Sequence, residues 1–143
     1  MKRTGLILIL VFAALANTFA QHIPRAKWKL LSIAGDTITY IQTKKVITRQ
    51  GTVRVWVKLV RLAQDDIGSK NLDLQKYANS AHALVLWEFN CRDQTMKMVS
   101  LVNYSEKGDA SNSEITNRNK WQPVPPDSAG EAMMNVACEK NPL

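Results

Sequence analysis

The sequence predicts a mainly β (α+β) fold, in which consecutive antiparallel strands precede one C-terminal α-helix. Three observations support this prediction. Short apolar and β-branched segments, separated by turn residues, follow one another between residues 28 and 104. A helix-capping pattern comes later, at Ser128. The chain has only two cysteines, Cys91 and Cys138, and both lie downstream of an export signal, which favours one internal disulfide in an oxidising compartment.

The first 20 residues have the pattern of a cleavable signal peptide. Lys2 and Arg3 are basic, residues 5–16 form an uncharged apolar run, and the segment ends on the small residue Ala20. The apolar run is shorter than the roughly 20 residues that a membrane-spanning helix needs. We therefore expect cleavage before Gln21 and no transmembrane anchor afterwards. Because residues 1–20 contain no cysteine, we expect an exported protein that is not a lipoprotein, located in the periplasm, in the medium or at the surface.

Cleavage would leave one domain, residues 21–143. A chain of this length fits a single core of moderate size. Without Lys2 and Arg3 it holds 17 basic and 12 acidic residues, a net charge of +5. This balance permits attraction to anionic glycans, lipids or acidic proteins, and export leaves little access to nucleic acid, so we expect no nucleic-acid partner.

Five strand-like segments occupy most of the region before Tyr104. The turn around Gly35 predicts a first hairpin, and the turn at residues 92–94 predicts a second. Residues 64–78 are polar and mixed, so we expect a loop with a helical turn. The five segments are residues 28–33, 37–41, 52–62, 82–91 and 95–104.

The third of these segments carries the best candidate binding surface. Val53, Val55 and Val57 alternate with a second set of side chains, so one face of the strand belongs to the core. The other face presents a cation, an aromatic ring and a cation about 7 Å apart, which can form a flat stacking surface with the cations flanking the indole. The alternative is that the tryptophan is buried under a second layer or a neighbouring subunit while the cations extend outward. This candidate binding face, called the cationic row below, consists of Arg54, Trp56 and Lys58.

The region after Tyr104 predicts a loop, a short return to the core and a helix. Residues 105–120 are almost entirely polar, as is typical of a surface loop or long hairpin, and we expect residues 121–124 to re-enter the core. Ser128 can cap a helix, Glu131 completes a capping box, and Pro142 ends the helix.

One face of this helix should lie against the sheet. Met134 and Cys138 are four residues apart and therefore share a face. Cys91 ends the strand that contains Trp87 and Phe89, on the same side of that strand. A bond between Cys91 and Cys138 would pin the helix across the sheet, and a closed loop of this length stabilises by about 4 kcal/mol on the chain-entropy estimate.

Patterns of catalysis and metal binding are missing from the sequence. His22 and His82 have no neighbours at ligand-like spacing, so we expect no metal site and no cofactor. A disulfide would leave no free thiol, and no nucleophile elbow or phosphate-binding glycine loop is present, so we do not expect an enzyme. Glu88 is interpreted as a solvated acid on the outer face of its strand. The basic run Lys44, Lys45 and Arg49 is interpreted as a solvated turn.

The chain resembles the bacterial surface-adhesin protein E family from Trp28 onward. The resemblance rests on the order of Val-Arg-Val-Trp-Val at 53–57, a tyrosine at 77, Cys91 after a long strand, a strand into Tyr104, Trp-Gln-Pro-Val-Pro-Pro-Asp-Ser at 121–128 and Val-Ala-Cys at 136–138. It implies an antiparallel sheet of about six strands, with the C-terminal helix fastened to it by Cys91 and Cys138.

The resemblance also implies functions. Such domains can self-associate, which makes a homodimer a candidate assembly, and the best-known members bind host matrix proteins such as vitronectin and laminin. We therefore expect a non-enzymatic, adhesin-like binding module that recognises a host extracellular-matrix protein or an envelope macromolecule. Two alternatives stay open, namely a structural or assembly protein of the bacterial envelope and a small inhibitor of an exported hydrolase.

Overall fold

The computed structural model of the chain describes residues 27–112 and 119–139. The expected signal peptide at 1–20, His22 and Pro142 lie outside the described residues. Within these two stretches, no helix is long and apolar enough to cross a membrane.

The described residues form one antiparallel sheet with a helix on one side, which confirms the predicted α+β fold. The strands pair in the order β1-β2-β4-β5-β6-β7, while β3 pairs with β4 and β8 pairs with β6. The elements are β1 (Trp28–Ala34), β2 (Thr37–Gln42), β3 (Val46–Ile47), β4 (Val53–Arg61), β5 (His82–Asn90), β6 (Thr95–Tyr104), β7 (Ala110–Asn112), β8 (Gln122–Pro123) and α1 (Ala129–Cys138).

Both predicted hairpins are present with short turns. Strands β1 and β2 are joined through Gly35, whose φ of +57° lies in the left-handed region that glycine adopts without a steric penalty. Strands β5 and β6 are joined by a turn in which Gln94 takes a positive φ of 52°. The amide of Asn90 donates to Asp93, and this contact orders that second turn.

The helix packs on the face of the sheet that bears the valines of β4. Val55 and Val57 are almost fully buried there, and they meet Met133 and Ala137 of α1. We call this side the helix face. Ile41 on β2 and Phe89 on β5 extend the same core across three neighbouring strands.

Both ends of α1 are fixed. Ser128 Oγ accepts the backbone N–H of Glu131 at 3.2 Å, as the capping pattern predicts. The Glu131 carboxylate reaches back to the backbone N–H of Asp127 at 2.8 Å rather than to that of the cap residue itself. At the other end Lys45 Nζ donates to the carbonyl of Ala137 at 3.0 Å and to that of Glu139, which offsets the negative end of the helix dipole. Lys45 is therefore a helix contact, not the solvated turn residue that the sequence predicts.

The disulfide joins Cys91, just after β5, to Cys138 in the last turn of α1. This confirms the expected covalent link between sheet and helix. It closes a loop with a sequence separation of 47 residues.

Residues 63–80 cover one end of the opposite face of the sheet. They contain two 3-10 turns, Gln64–Asp66 and Leu74–Tyr77, where the sequence predicts a loop with a helical turn. Tyr77 is buried against Ile38 and Val60. Its hydroxyl donates to Asp66 and accepts the backbone N–H of Ala63 at 3.0 Å, so this side chain helps to fasten the segment.

The prediction for residues 121–124 is wrong in one respect. Trp121 does not return to the core, since 41% of its surface is exposed. The two residues after it form β8, which pairs with Thr95 and Met96 at the start of β6. Trp121 itself precedes this edge strand, and its ring stays at the surface.

Candidate binding face

The structure places the three residues of the cationic row together on the face opposite the helix. Along β4 the odd-numbered valines are buried, whereas Arg54, Trp56 and Lys58 are partly exposed. Directly opposite residues of paired strands share a face, so Glu88 and Leu86 of β5 lie beside Arg54 and Trp56 on this side. We call this side, away from α1, the open face.

Glu88 is the centre of a charged network on the open face. Its side chain is only 1% exposed. Arg54 Nε donates to Oε2 at 2.8 Å and Thr52 Oγ1 donates to Oε1 at 2.6 Å. Lys97 Nζ, from the neighbouring strand β6, lies 3.6 Å from Oε2. The interpretation of Glu88 as a solvated acid is therefore wrong, because side chains on three sides enclose and pair the carboxylate.

The surroundings of Glu88 keep it ionised. Burial alone would raise its pKa, but hydrogen bonds from Thr52 and Arg54, together with the positive charge of Lys97, outweigh burial and lower the pKa below its ordinary value of 4.5. Two cations thus share one carboxylate, and the network carries a net positive charge at neutral pH.

Trp56 is partly exposed, and its surroundings differ from those predicted. Arg54 turns toward Glu88 instead of lying over the indole. Within the described part of the chain, cation–π contacts occur at Tyr77 and Trp121 and none occurs at Trp56. The indole therefore lies beside Leu86 of β5, between the positions of Arg54 and Lys58, and has no cation over its ring.

A second aromatic group lies at the edge of the open face. Lys97 Nζ is 4.6 Å from the centroid of the Trp121 ring, within the range of a cation–π contact. The sequence alone marks neither residue as part of a site. The alternation of β6 places Lys97 opposite Glu88, but only the pairing of β8 with β6 brings Trp121 to the same place.

Lys58 lies at the other end of the row, in a pocket of about 250 Å³. Tyr40 is its cross-strand neighbour on β2, and Trp28 and Tyr77 supply further aromatic walls. Partial burial lowers the pKa of Lys58 and raises that of Tyr40. The sequence did not predict this pocket because its walls come from distant parts of the chain.

Side chains that could bind a metal ion are dispersed over the described part of the chain. Across residues 27–112 and 119–139, no group of three or more His, Cys, Asp or Glu side chains is placed to hold a metal ion. His82 stacks on Tyr104 with ring centroids 5.0 Å apart, and its Nδ1 lies 2.9 Å from the carbonyl oxygen of Ser80.

The family of the chain is decided by comparison with family models. The model of surface-adhesin protein E matches residues 28–139. The chain belongs to the surface-adhesin protein E family. Comparison with curated proteins and with solved structures gives no significant match. Membership supports an adhesin-like surface protein with a non-enzymatic role. The matched range includes β1 through α1 and both cysteines, so the whole described domain carries the family pattern.

Proposed function

We propose that the protein is an exported, non-enzymatic binding module that recognises an anionic host-matrix or envelope macromolecule through the open face of its sheet. The observation that carries this proposal is the charge pattern of that face. Arg54, Lys58 and Lys97 lie on three positions of two strands, and Glu88 is the one carboxylate that the cross-strand pairs place among them. A surface with an excess of cations attracts anionic partners and speeds their association.

The two tryptophans of the open face add a second type of contact. Trp56 and Trp121 each expose part of an indole; Lys97 lies over the ring of Trp121, whereas Trp56 lies between two cationic positions of β4. Aromatic and cationic side chains in one patch favour the binding of sulfated or carboxylated sugars and of acidic peptide segments. An adhesin-like role in the surface-adhesin protein E family agrees with this chemistry.

The proposal includes export by a signal peptide. Residues 1–20 would be removed, leaving residues 21–143 as the mature domain in the periplasm, in the medium or at the surface, without a lipid anchor. The disulfide supports export, because such bonds persist in oxidising compartments.

The experiment combines substitutions on the open face with a salt titration. The double variant Arg54→Gln, Lys58→Ser removes two cations, and the glutamine retains an N–H donor for Glu88. Binding to immobilised heparin, laminin and vitronectin is measured at low and high ionic strength. We expect weaker binding at low salt and a flatter salt dependence. Two attracting charges are lost, so a smaller part of the binding free energy is electrostatic and can be screened by salt.

The matched control removes the same two residue types elsewhere. The control variant Lys70→Ser, Arg92→Ser removes two exposed loop cations. It therefore has the same net charge as the test variant. Equal weakening in both double variants would attribute binding to overall charge and would contradict the proposal. Unchanged binding in the test variant would contradict it as well.

A second candidate function, assembly of the bacterial envelope, is favoured by the exposed edge of the sheet. Strand β1 has only β2 as a neighbour within the described sheet, and its Leu30 and Ile33 are 41% and 46% exposed. An open edge strand with exposed apolar side chains can pair with a second copy. Sedimentation of the mature protein, alone and as Ile33→Lys, tests this function. Self-association that persists at high salt and is lost in the variant would support it.

A further inference from the structure

The pocket around Lys58 has the construction of a small-ligand site. Trp28, Tyr40 and Tyr77 supply three aromatic walls, and Leu74 adds an aliphatic one. These residues come from β1, β2 and the 3-10 turn Leu74–Tyr77, so the pocket lies where residues 63–80 meet the open face. Its volume is about 250 Å³, slightly below the roughly 300 Å³ at which pockets for drug-sized ligands begin.

Lys58 differs from Arg54, Lys97 and Arg61 in having no counter-ion among the described residues. Arg54 and Lys97 share Glu88, and Arg61 pairs with Asp36 at 3.2 Å. Among residues 27–112 and 119–139, Lys58 has neither an ion pair nor a side-chain hydrogen bond. Removal from water lowers its pKa, which marks an ammonium that has lost hydration without gaining a partner. A ligand that brings a negative charge would restore that interaction.

The charge and the walls together define the ligand. One cation balances one negative charge, whereas a phosphate group would bring about −1.5 to −2 charges at neutral pH. Aromatic and aliphatic walls favour an apolar body over a polar one. The volume admits a group about as large as one amino-acid side chain with its carboxylate.

We propose that this pocket binds a small monocarboxylate with an aromatic or aliphatic body, whose carboxylate accepts a hydrogen bond from Lys58 Nζ. Two sources share this chemistry, namely a free organic acid and the C-terminal residue of a peptide. The inference goes beyond the proposed function, because a small acid can enter the pocket whether or not a macromolecule binds the open face.

The test is calorimetric titration of the mature protein with four probes. 3-Phenylpropionate represents the free acid and N-acetyl-phenylalanine represents a peptide C-terminus, and the corresponding amides are uncharged controls of similar shape. We expect each acid to bind at least about ten-fold more tightly than its amide, the loss that corresponds to one charge-assisted hydrogen bond. Tighter binding of 3-phenylpropionate would indicate a free organic acid as the ligand, and tighter binding of N-acetyl-phenylalanine would indicate a peptide C-terminus.

Three variants locate the binding. Lys58→Met retains the apolar stem and should reduce affinity for the acid about ten-fold, to the level of the amide. Lys70→Met is the matched control at an exposed loop position and should bind as the original protein does. Ala78→Phe fills the pocket from an exposed rim residue with helical φ and ψ, and it should abolish binding without disturbing the core.

The outcomes are distinguishable from those for the open face. No binding of either acid at millimolar concentration, or equal affinity for acid and amide, would overturn the inference. So would unchanged binding in both Lys58→Met and Ala78→Phe with the fold intact by circular dichroism. The amount of heparin bound by Ala78→Phe reports on the proposed function separately, since that variant preserves every cation of the open face.

Discussion

Replacing Glu88 by Gln should destabilise the domain by about 2 to 3 kcal/mol at neutral pH. Removing one partner of a buried ion pair costs roughly 3 to 5 kcal/mol, because the remaining charge loses its compensation. Here the cost is smaller, since the Arg54 side chain is 43% exposed and can regain water. Glutamine has nearly the same shape as glutamate and can still accept the hydrogen bond from Thr52. The decrease in unfolding free energy therefore reports the contribution of the charge rather than that of packing.

The difference in unfolding free energy between the original protein and the Glu88→Gln variant should become smaller as the pH falls. The folded pKa of Glu88 is lowered from its ordinary value of 4.5, so its charge stabilises the folded state fully above that value. This contribution is lost as the pH falls through the lower, folded pKa. The stability of the Glu88→Gln variant should therefore converge on that of the original protein in acid.

Urea denaturation at neutral and at acidic pH measures both effects. Glu106→Gln serves as the matched control, because Glu106 is exposed and has no ion pair among the described residues. Equal stability of the Glu88→Gln variant and the original protein at neutral pH would refute the claim that the charge of Glu88 stabilises the fold. A deficit that persists unchanged in acid would show that packing, not charge, is responsible.

Three further predictions concern the disulfide, the hydroxyl of Tyr77 and the signal peptide. Non-reducing mass spectrometry should find the Cys91 and Cys138 peptides linked, and the double serine variant should lose about 4 kcal/mol of unfolding free energy, as expected for a loop with a separation of 47 residues; two free thiols would contradict this. Tyr77→Phe should cost about 1 to 2 kcal/mol and speed hydrogen exchange at Ala63, whose backbone N–H loses its acceptor; unchanged exchange there would refute that role of Tyr77. N-terminal sequencing of the exported protein should begin at or near Gln21, and an intact Met1 in the membrane fraction would refute cleavage.

The secondary structure follows from local patterns in the sequence. Alternation along β4 identifies its buried valines, and the cap at Ser128 marks the start of α1, because each signal is complete within a few residues. The disulfide was also predictable, since a chain with two cysteines has only one possible internal bond.

The details of the site depend on contacts between distant residues. Glu88 looks like a solvated acid in its own strand, and only the pairing of β5 with both β4 and β6 brings Arg54 and Lys97 to it. The pocket at Lys58 likewise needs Trp28 and Tyr77, which lie 30 and 19 positions away in the sequence. Strand alternation predicts the face on which a side chain lies, but it cannot predict which partner arrives from another segment.

The indole N–H signals of the protein test most directly whether the open face binds anionic partners. Trp56 and Trp121 lie on that face, whereas Trp87 packs against the core on the helix face and serves as an internal control. Nuclear magnetic resonance spectra are recorded while a heparin oligosaccharide is added at low ionic strength. The signals of Trp56 and Trp121 should shift with the added ligand and return as salt is raised, while that of Trp87 stays in place. Shifts confined to Trp87, or none at Trp56 and Trp121 while heparin is bound, would contradict the assignment of the open face as the binding surface.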